Sequence, residues 1–223
     1  MIIGIVCAHD EEVTLPEVVK SFRKASVPFI AILDQPTSKV RHILQGALET
    51  FEMPPGKDEH IYRWGQILEL MEWALKRPHG FDWAWRVDAD EIWPDIRPAV
   101  EKSEEEGCNV INFGICQHTP TTERIGDEQN FIDICPPALE DCSLYLAPYA
   151  NGYQRAWSLG KNWTHGHGGH SIKRTDAKVM NTDILFDHYP AVDKETLRKK
   201  IARKCLEEEK KRGWHVQYQG IKV

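Results

Sequence analysis

The stretch WAWRVDADEIW, residues 83–93, carries the strongest signal for the fold. A short apolar run ends here in three carboxylates within four residues, Asp88, Asp90 and Glu91. An apolar run of this length, bounded by charge, predicts a buried strand with the acids at its carboxyl end. Carboxylates this close repel one another unless a cation or a proton relieves them. The pattern therefore favours a site for Mg²⁺ or Mn²⁺, which prefer oxygen ligands, and solvated loop carboxylates are the alternative.

The residues before this stretch alternate between strand and helix patterns. The predicted elements are strands at 2–7 and 27–33 and helices at 15–22, 40–51 and 67–75. Thr14 and Glu17 have the capping-box spacing at the start of the first helix. His9 and Asp34 follow the two strands, as Asp88 follows the third. The alternation predicts an α/β fold, a single domain with a mostly parallel central sheet flanked by helices, whose ligand site lies beyond the carboxyl ends of the strands.

The second half of the sequence has weaker patterns. A helix at 95–106, strands at 108–115 and 144–149, a short apolar run at 184–190 and a charged helix at 194–211 are predicted. The polar segment 117–137 is typical of a lid or binding loop. We therefore predict one compact domain made of two halves. They are residues 1–115 and residues 116–223, and the second half has a lid loop and a C-terminal helix.

Composition limits the function further. The 223 residues are 41% hydrophobic and 28% charged, as in an ordinary globular protein, and the net charge of −6 argues against broad nucleic-acid binding. A nucleic-acid acceptor, possible but not favoured, would use the basic residues 198–204, for which a solvated helix face is the alternative. The six cysteines form no C-x-x-C pair. No signal peptide and no apolar run of the ~20 residues that span a bilayer are found, so we expect a cytoplasmic protein without a transmembrane segment.

Four landmarks occur in an order that resembles the nucleotide-sugar glycosyltransferases of the GT-A fold, in the broad family-2-like group. They are the first-strand opening at 6–12 followed by Leu15-Pro16, with Asp10 where asparagine is usual; Asp34 at the end of the second strand; the D-x-D-E metal motif at 87–91; and the "H-Y" segment at 186–190. The resemblance covers residues 1–115 well and residues 165–210 more loosely. It implies that residues 1–115 form a nucleotide-sugar-binding half and residues 116–223 an acceptor-side half. No single motif is specific, and their ordered spacing is the signal.

The resemblance implies an inverting, metal-dependent transfer of a sugar from a nucleotide-diphosphate-sugar, a UDP-sugar first, to a hydroxyl acceptor on a glycan, a lipid-linked molecule or another compound. Mn²⁺ or Mg²⁺ would stabilise the charge that develops on the leaving diphosphate. The implied metal ligands are Asp90 first, then Asp88, Glu91 and His188. Asp88 would contact the ribose or a metal-bound water, Glu91 would join the metal or organise the loop, and His188 could instead cap a strand end. The implied donor-binding residues are Ala8, His9, Glu11, Asp34, Arg63, Gln66 and Asp88.

Further cations and acids fall in the second half of the sequence. His170, Lys173 and Arg174 could hold the diphosphate. His165, His167 and His170 form an H-x-H-x-x-H pattern that suits a transition metal, a glycine-rich lid or a solvated loop. The family's general base is often the aspartate of a late E-D pair. The candidates here are Asp141 with Glu140, and Asp133 as a rival, whereas an acidic pair at a helix start is the structural alternative.

Two other classes of function use the same residues. A metal-dependent phosphoryl-transfer enzyme, either a nucleotidyltransferase or a phosphohydrolase, could use the carboxylates and histidines. Nucleotidyltransferases usually carry a glycine-rich phosphate loop near the first strand, whereas residues 8–12 are acidic and contain no glycine. A nucleotide-sugar-binding or lectin-like module without turnover ranks last, because three acids at one strand end are costly to keep without a cation.

Overall fold

The structure is a computed structural model that describes residues 1–53, 60–77, 79–119, 123–125, 132–134, 143–146, 153–160, 163–166 and 171–189. For residues 60–64 and 117–146 it describes only the backbone of helices and strands. The contacts divide the chain into two compact units. The first unit holds residues 1–115 and 149–186, and the second holds residues 116–148 and 187–223.

The described residues form thirteen strands and four α-helices. The strands are β1 Ile2–Ala8, β2 Phe29–Leu33, β3 Glu49–Glu52, β4 Trp83–Asp88, β5 Glu91–Ile92, β6 Val110–Thr119, β7 Glu123–Ile125, β8 Ile132–Ile134, β9 Ser143–Leu146, β10 Tyr153–Ser158, β11 Trp163–His165, β12 Ile172–Arg174 and β13 Val179–His188. The helices are α1 Leu15–Lys24, α2 Ser38–Ile43, α3 His60–Lys76 and α4 Arg97–Glu105. The predicted helix at 194–211 lies outside the described residues.

The predicted α/β fold with a large central sheet is confirmed. The strand order is β3-β2-β1-β4-β10-β6-β13-β5, and β9 pairs with the end of β6. Strands β3, β2, β1 and β4 run parallel, as the alternation of strand and helix in the first half predicts. Strand β10 runs antiparallel to both β4 and β6. The second half therefore extends the parallel sheet with antiparallel strands, and the sheet is mixed.

The second unit contributes short strands. β7 pairs with β8 and β9 pairs with residues 116–119 of β6, both antiparallel. The segment 117–137, predicted as a polar loop, therefore contains strand pairs. Alternation of only three residues is too short to be recognised in a polar sequence.

The predicted helix over 40–51 is wrong beyond its first turns. α2 ends at Ile43, a 3₁₀ turn spans Leu44–Gly46, and Glu49–Glu52 forms β3. Phe51, which continued the helical spacing, lies opposite Ile32 of β2. Pairing with the open edge of β2 thus outweighs the local helical pattern, which is a common result where tertiary contacts compete with propensity.

The capping box at the start of α1 is not formed. Thr14 makes no side-chain capping hydrogen bond to the helix. Its buried hydroxyl donates instead to the carbonyl of Ala89, 2.8 Å away. Thr14 therefore joins the start of α1 to the turn that follows β4. Because this contact is 75 residues away in sequence, spacing rules for helix ends could not find it.

Close packing between α1 and the sheet depends on Gly4 in β1. A Cβ at Gly4 would lie 2.3 Å from Cε1 of Phe22. Phe22 is fully buried, stacks on Phe29 at 4.8 Å and meets Trp85 edge-on at 5.0 Å. The ring has no room to withdraw, so only glycine allows α1 to approach the sheet this closely.

Gly4→Ala is therefore expected to lower the free energy of unfolding by about 1–3 kcal/mol through overpacking. Urea unfolding followed by circular dichroism measures the change. Gly65→Ala is the matched control, because a Cβ at this exposed position of α3 meets no atom within 4 Å. The control should raise stability by up to about 1 kcal/mol through helix propensity. Equal stabilities for the wild type and Gly4→Ala would contradict the packing argument.

Candidate donor site at the carboxyl edge of the sheet

The carboxyl ends of β1, β2 and β4 meet at one edge of the sheet. The Asp34 backbone N–H donates to the Ala8 carbonyl at 2.9 Å, and the His9 imidazole hydrogen-bonds to the Asp34 carbonyl. Cys7 of β1 lies opposite Asp88 of β4. The structure thus brings together Ala8, His9, Asp34 and Asp88, which lie far apart in sequence.

The turn Asp88–Glu91, hereafter the carboxylate turn, is neutralised by two buried arginines. Arg86 is fully buried and lies on the same face of β4 as Asp88. Its Nη2 donates to Oδ1 of Asp88 at 2.9 Å and to Oδ2 at 3.2 Å. Burial lowers the pKa of Arg86, and Asp88 acts against this shift. Protein cations therefore relieve the repulsion that the sequence suggested a metal would relieve.

Arg155 of β10 is the second cation. Its side chain is 2% exposed, and its Nη2 donates to Oδ2 of Asp88 at 2.8 Å and also to Oε1 of Glu91. Burial alone would lower the pKa of Arg155, but the neighbouring charges of Asp88 and Glu91 raise it above the usual value. Arg155 is thus held in its charged form.

Glu91 is buried and holds the turn together, one of the two roles expected for it, and its metal role stays a prediction. Its side chain is 1% exposed, and Oε1 accepts from Arg155. Oε2 accepts from the backbone N–H of Asp88 at 3.0 Å and from the indole N–H of Trp93 at 3.2 Å. Both oxygens are already bound by the protein, so Glu91 organises the turn. No group of three histidine, cysteine or acidic side chains able to hold a metal occurs in the described part of the chain.

Glu11 and Asp90 place two further carboxylates at this edge. Burial is the main cause that raises the pKa of Glu11, and the charges of Asp90 and Asp10 raise it further. The backbone N–H of His9 donates to Oε2 of Glu11 at 2.8 Å and opposes the shift. The charge of Asp90 therefore acts on Glu11 at this edge of the sheet.

Arg174 is not brought to this edge. Its Nη1 donates to the Ser158 carbonyl at 3.0 Å, and Ser158 lies opposite Trp83, the first residue of β4. Five residues of strand, about 16 Å, separate Trp83 from Asp88. Arg174 also pairs with Asp176 at 2.7 Å. It therefore lines a cleft of about 1140 Å³ at the opposite edge, together with Lys173.

For the other predicted site residues, the structure gives at most the element to which each belongs and the burial of its side chain. Gln66 is half-buried on α3, and Arg63 belongs to the same helix, but its side chain lies outside the described residues. His170, Glu140 and Asp141 also lie outside them, and Asp133 is described only as backbone in β8. His188 ends β13 in the second unit, so its role at the metal stays a prediction.

Sequence reasoning missed Arg86 and Arg155. Arg86 could have been found, because it interrupts an apolar strand two residues before Asp88 and therefore shares its face. Arg155 belongs to a region without a recognisable pattern, and only the pairing of β10 with β4 brings it to the carboxylates.

Comparison with known proteins shows the fold. No protein-family model and no curated protein sequence matches the chain. Among solved structures, S. aureus TarS matches with a TM-score of 0.52 at 13% identity, over 92% of this chain and 39% of TarS. A TarS fragment in complex with UDP matches with a TM-score of 0.54 at 12% identity, over 92% of this chain and 65% of the fragment. The chain thus spans less than two thirds of each of these relatives.

A helix that crosses a bilayer must contain about 20 predominantly apolar residues. Within the described ranges, no helix is both long enough and apolar enough to cross a membrane.

Proposed function

We propose that this protein is a glycosyltransferase that transfers a sugar from a UDP-sugar to a hydroxyl acceptor. The observation that carries the proposal is the convergence of Asp34 and Asp88 at the carboxyl edge of parallel strands. Ligands of such sheets bind at this edge. The likeness in fold to a TarS structure that contains UDP supports the choice of nucleotide.

The carboxylates suit a nucleotide. The half-buried Asp34 can accept hydrogen bonds from a nucleobase N–H or a ribose hydroxyl. Asp88, whose side chain is 22% exposed, pairs with the guanidinium groups of Arg86 and Arg155 and can accept a hydrogen bond from the ribose. These contacts would fix the nucleoside half of the donor, while the diphosphate extends towards Asp90.

Asp90 is the residue that would hold Mn²⁺ or Mg²⁺. Mg²⁺ is commonly bound through one or two carboxylates, with substrate phosphates completing its shell. Burial is the main cause that raises the pKa of Glu11, and the charge of Asp90 adds to it, so a cation at Asp90 would also relieve this smaller repulsion. The ion would neutralise charge on the departing diphosphate. Asp88 pairs with arginines and is assigned to the nucleoside; His188 stays a proposed further ligand, and Asp141, Glu140 or Asp133 stays the proposed base.

Isothermal titration with UDP tests the proposal, in Mn²⁺ and in EDTA. The wild type should bind UDP at least about tenfold more tightly with Mn²⁺, a difference of about 1.4 kcal/mol. Asp90→Asn should lose this gain, because the amide carries no charge to hold the ion. Asp34→Ala should weaken binding in both buffers, because its contact is with the nucleoside.

Glu101→Gln is the control for Asp90→Asn, because Glu101 is an exposed acid on α4. Its UDP affinity should equal that of the wild type in both buffers. A panel of UDP-sugars, followed by release of UDP, then tests turnover. A wild type that binds no UDP in either buffer would refute the donor assignment.

A further inference from the structure

Arg155 contacts both ends of the carboxylate turn with one nitrogen. Its Nη2 donates to Oδ2 of Asp88 at 2.8 Å and to Oε1 of Glu91. These two acids flank Ala89 and Asp90. One guanidinium from β10 therefore ties together the first and last residues of a turn that belongs to β4 and β5.

Two other contacts hold the same turn. Oε2 of Glu91 accepts from the backbone N–H of Asp88 at 3.0 Å, so the turn is also closed across its base. The Thr14 hydroxyl donates to the Ala89 carbonyl at 2.8 Å. Asp88, Ala89 and Glu91 are each fixed, and the position of Asp90 between them follows from theirs.

Aromatic rings enclose Arg155. Its guanidinium lies over the rings of Tyr153 and Phe186, at 5.7 and 5.9 Å from their centroids. Phe186 stacks on Trp93 at 4.2 Å, and Trp93 donates to Glu91. Nε and Nη1 of Arg155 make no hydrogen bond within the described residues, and the ring faces supply cation–π contact instead. Exclusion of water strengthens the ion pairs of this cluster.

The cluster is also balanced in charge. Arg86 and Arg155 carry two positive charges, and Asp88 and Glu91 carry two negative charges. A divalent ion between Asp88 and Glu91 would have to displace a guanidinium that the surrounding rings hold in place. The ion of the proposed function is therefore assigned to Asp90 and not to Asp88 or Glu91.

We infer that Arg155 is a positioning residue of the donor site: by binding Asp88 and Glu91 together it fixes the carboxylate turn and so sets where Asp90 presents its carboxylate to the metal. This inference rests on the proposed function. It assigns a role in the donor site to β10, a strand that carries none of the predicted donor-binding residues.

Three variants of the full chain test this role. Arg155→Lys keeps the positive charge but loses the planar guanidinium group with its several N–H donors. The double variant Arg155→Met with Glu91→Gln keeps the net charge and removes the bridge. Arg97→Met, which breaks the partly exposed ion pair of Arg97 with Asp95 at the start of α4, is the control. Manganese affinity is measured by electron paramagnetic resonance, and UDP affinity by titration calorimetry in Mn²⁺ and in EDTA.

Both Arg155 variants should lose about 10- to 100-fold in Mn²⁺-dependent UDP affinity, as is typical when a partner that orients a metal ligand is removed. Their UDP affinity in EDTA should fall by less than about threefold, because Arg86 still pairs with Asp88. Arg97→Met should match the wild type in both buffers. A merely structural Arg155 would lower stability and leave the Mn²⁺-to-EDTA ratio unchanged, which would overturn the inference.

Different results would refute the UDP-donor assignment and the positioning role of Arg155. A wild type that binds Mn²⁺ but no UDP refutes the donor assignment, and a weaker Mn²⁺ affinity in Arg155→Lys would still support the positioning role. A wild type that binds UDP equally well in Mn²⁺ and EDTA, or that binds no Mn²⁺, overturns the positioning role.

Discussion

Arg155→Met alone is expected to lower the free energy of unfolding by about 3–5 kcal/mol, the usual result of removing one partner from a buried ion pair. The Glu91 side chain is 1% exposed, and Arg155 donates a hydrogen bond to it. Removing Arg155 takes this ion-pair partner from a buried acid, which lowers stability whether the acid stays charged or takes up a proton. Urea unfolding at neutral pH, followed by far-ultraviolet circular dichroism, measures the loss.

Two comparisons isolate the buried charge as the cause. Adding Glu91→Gln to Arg155→Met should recover a large part of the stability, because both charges are then removed together. Arg97→Met should cost no more than about 1 kcal/mol, because its partner Asp95 is a surface acid and exposed pairs contribute little. Equal losses in Arg155→Met and Arg97→Met would show that burial adds nothing to the pair.

The first half of the chain could be predicted because its signals are local. Continuous apolar runs define β1, β2 and β4, and polar residues at their ends fall at one edge in any parallel sheet. The positions of Asp34 and Asp88 at one edge follow from this rule alone. The parallel register that places Cys7 opposite Asp88 confirms the expected edge.

The rest could not be predicted because it depends on contacts between distant segments. The carboxylates suggested a metal because their partners were not visible in sequence. One partner, Arg155, lies 64 residues from Glu91 and reaches it only after β10 pairs with β4. Thr14 is a similar case. Its spacing predicts a cap for α1, but in the structure its hydroxyl donates to the distant Ala89 carbonyl. Such partners show how the acids of the turn are held, and the sequence alone does not reveal them.

His165 is expected to make the free energy of unfolding depend on pH. Its side chain is 2% exposed and packs edge-on against Trp157 and Trp163 at 5.6 and 5.5 Å. Burial is the main cause that lowers the pKa of His165 to about 4, and the charges of Arg86 and Lys76 lower it further. Glu72, whose carboxylate lies 3.3 Å from Nδ1, acts in the opposite direction but does not prevail.

Stability falls with falling pH because the unfolded chain binds a proton more readily than the folded chain. An unfolded histidine titrates near 6.5, so between this pH and about 4 the unfolded chain binds a proton that the folded chain excludes. The contribution of neutral His165 to stability is complete above about pH 6.5 and is lost as the pH falls towards 4. At pH 5 the loss should be about 2 kcal/mol, from about 1.4 kcal/mol per pH unit.

Urea unfolding at pH 7.5 and pH 5, in the wild type and in His165→Phe, measures this loss. Phenylalanine keeps the aromatic packing and cannot be protonated, so the variant should lose about 2 kcal/mol less than the wild type between the two pH values. Acids that titrate in both proteins cancel in this difference. His42→Gln, which removes an exposed histidine from α2, should keep the pH dependence of the wild type. If His165→Phe and the wild type lose the same stability, His165 is protonated in the folded protein and Glu72, not burial, governs its charge.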